Sequence, residues 1–201
     1  MVIRMPFAPL ASARARRVVG VLAAGGALAL VLVGCTGAPS ATPTPAPTET
    51  AAEPIFASDE EALAALSASY SDFLAVATTV TNDGGADPER LDSVAAGQAL
   101  AEEAAAAQRF ADDGLRTIGS TGFRVEELQS VEVDPSRGTV VTAYVCDDLR
   151  GLDLINSSGT SLVVEGRVVD IPYTVVVEGT TVDDLKVSEK QLWQRENFCQ
   201  S

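Results

Sequence analysis

The side chains that could do chemistry in this chain are carboxylates, tyrosines, lysines and three cysteines, because the sequence contains no histidine. Histidine is the commonest general base and the commonest transition-metal ligand in proteins. Its absence excludes a Ser/His/Asp hydrolase, a Cys/His protease and a zinc site with imidazole ligands. Any catalysis would depend on an acid, a tyrosine, a lysine or a thiol, and we expect no metal ion and no cofactor.

The N-terminal 34 residues have the layout of a secretory signal peptide. They contain no acidic residue, and four arginines precede an apolar run over residues 18–34. A basic region before a short apolar segment is typical of a signal peptide, and an uncleaved membrane anchor is the alternative. Both interpretations place the chain after Cys35 outside the cytoplasm.

Three cysteines in an exported chain leave one thiol without a partner. Cys146 ends a predicted strand, and Cys199 lies six residues beyond Trp193, so a disulfide between them would hold the C-terminus against the sheet. We predict this bond, which would stabilise the fold by about 4 kcal/mol through the loop that it closes. A redox pair is the alternative, but reactive dithiols are usually close together in sequence.

The charge of the exported part limits its partners. Removal of residues 1–34 changes the formal net charge from −14 to −18, because all 28 acidic residues but only 10 of the 14 basic residues follow. Such a domain repels nucleic acid and anionic lipid headgroups, so we expect no nucleic-acid partner. A solvated acidic surface is the simplest interpretation, and basic partners or cations are the alternative.

Residues 35–57 have the composition of a stalk. The segment after Cys35 holds five of the ten prolines and almost no large apolar side chain before Ile55. It cannot bury enough apolar surface to fold. Its Thr-Pro and Ala-Pro repeats favour polyproline II at about 3.1 Å per residue, so it could hold a domain on the order of 50 Å from its attachment point.

Helices begin directly after the stalk. Ser58 and Glu61 form a predicted capping box, and apolar residues then recur at helical spacing at positions 63, 66, 70, 73, 77 and 80. Tyr70 lies in this stripe, where packing is its simpler role and a pocket hydroxyl is the alternative. Asp87-Pro88 predicts the start of a second helical segment. Gly97 divides this segment and Gly114 ends it, which gives two predicted helices, Glu89–Ala96 and Gln98–Asp113.

Strands follow the helices. The period changes to two after Gly122, with turn residues at 134–138 and 178–181, and four long strands are predicted. Pro172 predicts a sheet edge or a bulge. Helices followed by an antiparallel meander give the α+β class, with N-terminal helices packed on one face of a curved four-stranded sheet. We assign residues 58–201 to one domain.

Leu32-Val33-Gly34-Cys35 resembles the lipobox of bacterial lipoproteins at all four positions. In that family the cysteine receives a diacylglyceryl group and signal peptidase II cuts before it. The resemblance implies a lipoprotein signal peptide over residues 1–34 and a lipid anchor on Cys35. It also implies a location on the outer face of the cytoplasmic membrane.

The order of helices and strands, the strand ending in "YVCDD" and the segment from Trp193 to Cys199 resemble NTF2-like (cystatin-like) α+β roll domains. The likeness is to those of small secreted lipoproteins from GC-rich Gram-positive bacteria. Such a roll implies a cavity, which Tyr70, Tyr144, Tyr173 and Trp193 could line.

Two functions follow from this resemblance. The first is a non-enzymatic envelope lipoprotein that binds a small hydrophobic ligand or a partner protein, with a homodimer through the sheet as a further expectation. The alternative is an isomerase- or hydratase-like enzyme that uses a buried acid and a tyrosine. A buried acid bonded to a tyrosine in an enclosed cavity would favour the enzyme, and a cavity filled by the protein's own side chains would oppose it.

Overall fold

The computed structural model describes residues 55–200, so the predicted signal peptide, Cys35 and most of the predicted stalk lie outside the described residues. Two α-helices come first, α1 (Asp59–Asn82) and α2 (Gly97–Asp113), with a short 3-10 helix between them (Pro88–Ser93). Six strands follow, namely β1 (Arg116–Gly119), β2 (Gly122–Asp134), β3 (Gly138–Asp148), β4 (Leu152–Ile155), β5 (Asp170–Gly179) and β6 (Lys186–Leu192).

The strands form two antiparallel sheets. The main sheet has the order β2-β3-β5-β6, and β1 pairs with β4 in a separate two-stranded sheet. The α+β class and the four-stranded antiparallel sheet are therefore confirmed. The second sheet was not predicted, because its strands are only four residues long and lie in segments rich in Gly, Ser and Asp. The third long strand begins at Asp170, because residues 162–169 form no strand ladder.

Helix α1 begins at the predicted cap. The Ser58 side chain accepts a hydrogen bond from the Glu61 N–H at 3.3 Å, and Glu61 accepts one from the Ala57 N–H at 2.8 Å. Its apolar stripe packs on the main sheet and buries Leu66, Tyr70 and Phe73 completely. Among the described helices, α1 alone is long and apolar enough to cross a membrane by length and composition. Here that apolar face is part of the domain core.

The second helical segment divides at Gly97 as predicted, but its first part is a 3-10 helix. Asp87 precedes Pro88 in a left-handed conformation with φ 50° and makes no side-chain cap. Gly114 ends α2 with φ 62°. The small residues of α2 allow a close approach to the turn after α1, where a side chain on Gly85 would lie 2.0 Å from the Ala107 carbonyl oxygen.

Bulges shape the main sheet. Strand β2 has two of them, and β6 has one. Each bulge adds a residue, bends the strand and reverses the alternation of its faces. In β2 the residues that pack on the core are consequently Phe123, Val125, Leu128 and Val131. An uninterrupted period of two from Phe123 and Val125 misses Leu128.

Pro172 lies in an interior strand rather than at an edge. Its carbonyl accepts a hydrogen bond from the Trp193 N–H at 2.9 Å. In a strand, the backbone nitrogen and carbonyl of one residue point toward the same neighbouring strand. The Pro172 nitrogen, which has no hydrogen to donate, therefore points toward the β6 side, and β6 ends at Leu192. The proline therefore removes no hydrogen bond from the β3–β5 ladder.

Candidate functional site

A buried polar network lies between α1 and the main sheet. The Tyr70 hydroxyl donates to Asp147 Oδ1 at 2.8 Å, and the Lys190 ammonium contacts Asp147 Oδ2 at 2.8 Å. Tyr70 is fully buried, and Asp147 is 2% exposed. Both oxygens of the carboxylate are thus engaged inside the protein.

Three elements supply these side chains. Tyr70 projects from the buried stripe of α1, and Asp147 lies on β3 two residues after the core residue Val145. Lys190 comes from β6, where Val177 pairs with Val187 but Val176 pairs with Glu189, so Ser188 is the additional residue of the bulge. Without this residue, alternation from Val187 would turn Glu189 toward the core and Lys190 away from it.

Aromatic rings surround the ammonium group. The Lys190 nitrogen lies 4.4 Å from the centre of the Tyr173 ring and 5.8 Å from those of Tyr70 and Phe73. The Tyr70 ring also packs edge-on against Phe123, with centroids 5.1 Å apart. A cation over aromatic faces gains favourable energy, most of all where water is excluded. The rings therefore stabilise the charged form of a lysine whose side chain is only 16% exposed.

The pKa values in the network follow from burial and the Asp147 charge. Burial, and then the Asp147 carboxylate, raise the pKa of Tyr70 well above its usual value. Burial raises the pKa of Tyr173 as well, against the opposing charge of Lys190. Burial lowers the pKa of Lys190, but the charges of Asp147 and other neighbours outweigh it, so the net pKa is raised. Neutral tyrosines around a Lys–Asp ion pair are the resulting state near neutral pH.

Glu103 on α2 lies close to this network. Burial raises the pKa of its carboxyl group, Lys190 lowers it, and Asp147 raises it further. The net effect is upward, so the cost of removing this carboxylate from water exceeds the attraction of Lys190.

The network has little capacity for a substrate. Asp147 has a partner on each carboxylate oxygen, and both Asp147 and Tyr70 are buried, so neither side chain is open to solvent. Lys190 and Tyr173 reach the floor of an open groove of about 530 Å³, which is also lined by Gln98, Glu102, Gln191, Leu192 and Gln194. Across residues 55–200, no group of three or more acidic or cysteine side chains is arranged to hold a metal ion.

A second cluster lies on the opposite face of the sheet. The rings of Tyr144, Trp193 and Phe198 lie with centroids 5.0, 5.3 and 5.9 Å apart in the three pairs. All three side chains are half-buried. We call the groove of about 490 Å³ beside them the aromatic groove; its remaining lining residues are Glu126, Glu127, Arg195 and Glu196.

The C-terminal segment is held in place beside this groove. Cys146 and Cys199 lie at disulfide distance, with Cα atoms 5.7 Å apart. Arg124 donates to the Cys199 carbonyl at 2.7 Å, and the Trp193 indole donates to the Glu196 carbonyl at 3.2 Å. The cysteine pair and these two hydrogen bonds fix two of the three rings of the cluster against Tyr144.

The four aromatic residues singled out from the sequence do not form one pocket. Tyr70 and Tyr173 lie on the helix-covered face, whereas Tyr144 and Trp193 lie on the outer face. Tyr70 is enclosed in the core, and the other three border open grooves. Sequence reasoning missed Lys190 and Phe198. No local signal marks Lys190, because its inward orientation depends on a bulge.

The fold and these two clusters define an α+β domain with a buried Tyr–Asp–Lys network and an aromatic groove on its outer face. No protein-family model matches the chain. A search of curated proteins also found no match. Among solved structures, the chain is similar to the intermembrane space region of the chloroplast protein ARC6, with a TM-score of 0.41 and 15% sequence identity; the match covers 62% of this chain and 91% of that chain.

Proposed function

We propose that this protein is a non-enzymatic lipoprotein, anchored by Cys35 to the outer face of the cytoplasmic membrane, whose domain binds a partner protein of the cell envelope. The lipobox-like "LVGC", the basic and apolar residues before it, and the proline-rich segment after it support the anchor. Two or more acyl chains hold a protein stably on a membrane, which suits a diacylglyceryl group. The domain is proposed to be an NTF2-like roll, and the three bulges support this because bulges curve a sheet.

The observation that carries the binding proposal is the aromatic groove. Trp and Tyr are enriched at protein interfaces, because each ring supplies a large apolar area together with a polar tip. Here an indole and two other rings meet solvent at one place, on a segment fixed by the cysteine pair. The groove is open, whereas pockets for small ligands enclose most of the ligand surface. A segment of a protein therefore suits it better than a small hydrophobic ligand.

The isomerase-like alternative has one observation in its favour, the buried hydrogen bond between Tyr70 and Asp147. The rest of the network opposes it. A catalytic acid must reach the proton that it transfers, whereas both oxygens of Asp147 are occupied by Tyr70 and Lys190. Tyr70 and Asp147 are also both buried, so a substrate in solvent does not reach them. A homodimer through the sheet stays a prediction.

Mass spectrometry of the membrane-fraction protein tests the anchor. We expect a mature chain that begins at Cys35 and carries a diacylglyceryl thioether. An unmodified Cys35, or a chain that retains residues 18–34, would contradict the proposal.

Site-specific photocrosslinking in intact cells tests the partner. A photoreactive residue at Glu127, an exposed lining residue of the aromatic groove, should give one discrete adduct that disappears when Trp193→Ala is added. The control is the same photoreactive residue at Gln108, an exposed glutamine of α2 on the other side of the sheet. Adducts of equal yield from both positions, or none from Glu127, would refute binding at the aromatic groove.

A further inference from the structure

The rings of the aromatic groove attract positive charge. The face of an aromatic ring is the negative part of its quadrupole, and it attracts a cation that lies within about 6 Å of the ring centroid. The guanidinium carbon of Arg195 already lies 5.5 Å from the centroid of the Trp193 ring. Arg195 is exposed, and no carboxylate of residues 55–200 forms an ion pair with it. A guanidinium group thus lies over this ring without an acidic partner.

A β-bulge places two carboxylates beside the rings. The β2–β3 ladder pairs Glu127 with Tyr144, and Glu126 is the additional residue of the bulge. Regular alternation would direct two consecutive side chains to opposite faces of the sheet. Because of the bulge, Glu126 and Glu127 both line the aromatic groove.

The carboxylates at the groove are only partly compensated. Glu126 forms an ion pair with Arg124 of the same strand. Glu127 and Glu196 are exposed, and within residues 55–200 neither side chain forms an ion pair. Even with Arg124 and Arg195 counted, carboxylates outnumber cations at the groove. Its electrostatic complement is therefore a basic segment.

The charge of the whole domain favours the same kind of partner. Residues 55–200 contain 26 acidic and 10 basic residues. Such an excess of negative charge attracts a basic segment before contact is made. It also opposes a second copy of this domain at the groove, because both copies carry the same excess.

We propose that the aromatic groove binds a basic segment of the partner protein, with an arginine side chain over the Trp193 ring and further basic side chains beside Glu127 and Glu196. A planar guanidinium stacks on an aromatic face and donates hydrogen bonds to carboxylates, so it can use both features of the groove. The inference rests on the proposed function and deepens it, because it states the chemistry of the partner at the same site. Arg195 then occupies the place that the arginine of the partner takes.

Titration of the Trp193 fluorescence with defined peptides tests this proposal. Trp193 is the single tryptophan of the chain, so its emission reports on the groove. The full protein is used as isolated from the membrane fraction, in micelles of an uncharged detergent. The probe is a short peptide with three arginines separated by glycine and serine. The matched control peptide carries citrulline, which has the shape of arginine without its charge, and we expect it to bind about tenfold more weakly.

Substitutions in the groove test the role of its carboxylates. The variant E127Q/E196Q should bind the arginine peptide about fivefold more weakly, because each exposed charge pair contributes modestly. Glu127→Gln alone should weaken binding about twofold, so a single substitution at position 127 preserves it. The control variant E89Q/E165Q removes two exposed carboxylates that do not line the groove. At physiological ionic strength it should change the affinity by less than about twofold, because salt screens distant charges.

Arg195→Gln should have the opposite effect. This substitution removes the cation over the Trp193 ring and a charge of the same sign as the peptide. The arginine peptide should therefore bind about threefold more tightly. Weaker binding by this variant would contradict the proposal, because Arg195 would then hold the segment instead of occupying its place.

Equal affinities for the arginine and citrulline peptides, or no binding of either, would overturn the proposal. Equal losses in E127Q/E196Q and E89Q/E165Q would also overturn it, since binding would then reflect the general charge of the domain. The titration needs neither a lipid on Cys35 nor the partner itself. A partner crosslinked at the groove together with equal peptide affinities would refute this inference and leave the proposed function in place.

Discussion

At the scale of single residues, Lys190 and Asp147 determine the stability of the interior. Both are charged groups in an aromatic environment, and each compensates the other. Removal of one partner from a buried ion pair leaves an uncompensated charge and costs about 3–5 kcal/mol. The pair need not be more stabilising than apolar residues of the same volume, but it is sensitive to the loss of either member.

Lys190→Met should therefore lower the free energy of unfolding by about 3–5 kcal/mol, measured by urea denaturation. The double variant Asp147→Asn, Lys190→Met removes both charges and should recover part of this loss. If the double variant is no more stable than Lys190→Met alone, the uncompensated charge of Asp147 is not the cause of the stability lost in Lys190→Met.

Glu103 gives a prediction for pH. Burial is the chief reason that its pKa in the folded state lies above the usual value of 4.5. The Glu103 carboxyl group therefore binds its proton more tightly in the folded state than in the unfolded state. Its contribution to the free energy of unfolding is fully present below pH 4.5 and is lost as pH rises through the pKa of the folded state. Glu103→Gln should accordingly raise the melting temperature at pH 7 and give no gain below about pH 4.

The control for Glu103→Gln is Glu102→Gln, which removes the same charge from the exposed neighbouring residue. A gain at pH 7 from both variants would mean that relief of the general negative charge, rather than burial of Glu103, is the cause.

At the scale of elements, close contacts and bulges determine how the helices meet the sheet and each other. The bulge at Ser188 orients Lys190 toward Asp147, and the two bulges of β2 keep the side chains of a long edge strand on the core. The turn after α1 approaches α2 so closely that only glycine fits at position 85. Each bulge and the glycine occupy a short stretch of sequence. Their effects on side-chain orientation and helix contact arise only where a second strand or helix packs against that stretch.

Gly85→Ala should be strongly destabilising, since its added carbon would lie 2.0 Å from the Ala107 carbonyl oxygen. Gly159→Ala is the matched control, because Gly159 also has a positive φ, +81° against +84°, but no atom within 4 Å of the added carbon. The control should cost about 1–2 kcal/mol through backbone strain alone. Thermal unfolding measures the stability of both variants. Equal destabilisation would mean that the backbone of α2 shifts at little cost to admit the added carbon at position 85.

At the scale of the whole molecule, the cysteine pair joins the C-terminal segment to the middle of the chain. Cys146 lies two residues before the end of β3, and Cys199 lies in the short 3-10 helix Phe198–Gln200. Between them lie β4, β5 and β6. A disulfide here restricts the unfolded chain over a long loop and keeps Trp193 and Phe198 beside Tyr144.

Reduction of this bond should lower the free energy of unfolding by about 4 kcal/mol, measured by urea denaturation with and without reductant. The Trp193 fluorescence should also shift to longer wavelength as the aromatic groove opens. The variant C146A/C199A should behave like the reduced wild type. An unchanged Trp193 emission on reduction would show that the hydrogen bonds of the segment hold the groove without the disulfide.

The sequence by itself determined the α+β class, the N-cap of α1 at Ser58, the division at Gly97 and the C-cap of α2 at Gly114. These features depend on side chains that act on neighbouring backbone or on a simple period, so they can be predicted locally. The excluded histidine chemistry follows from composition alone. The pairing of Cys146 with Cys199 also followed from the sequence, because only two cysteines remain after the predicted signal peptide and Cys35.

Only the tertiary structure decided which side chains meet. The bulges in β2 and β6 change the inward face of a strand, and they arise from pairing with neighbouring strands rather than from a residue pattern. The inward orientation of Lys190 was therefore not predicted from the sequence. The four aromatic candidates likewise lie on two different faces of one sheet. Local patterns determine the elements, but a contact between distant residues depends on the register of strands that the local patterns do not specify.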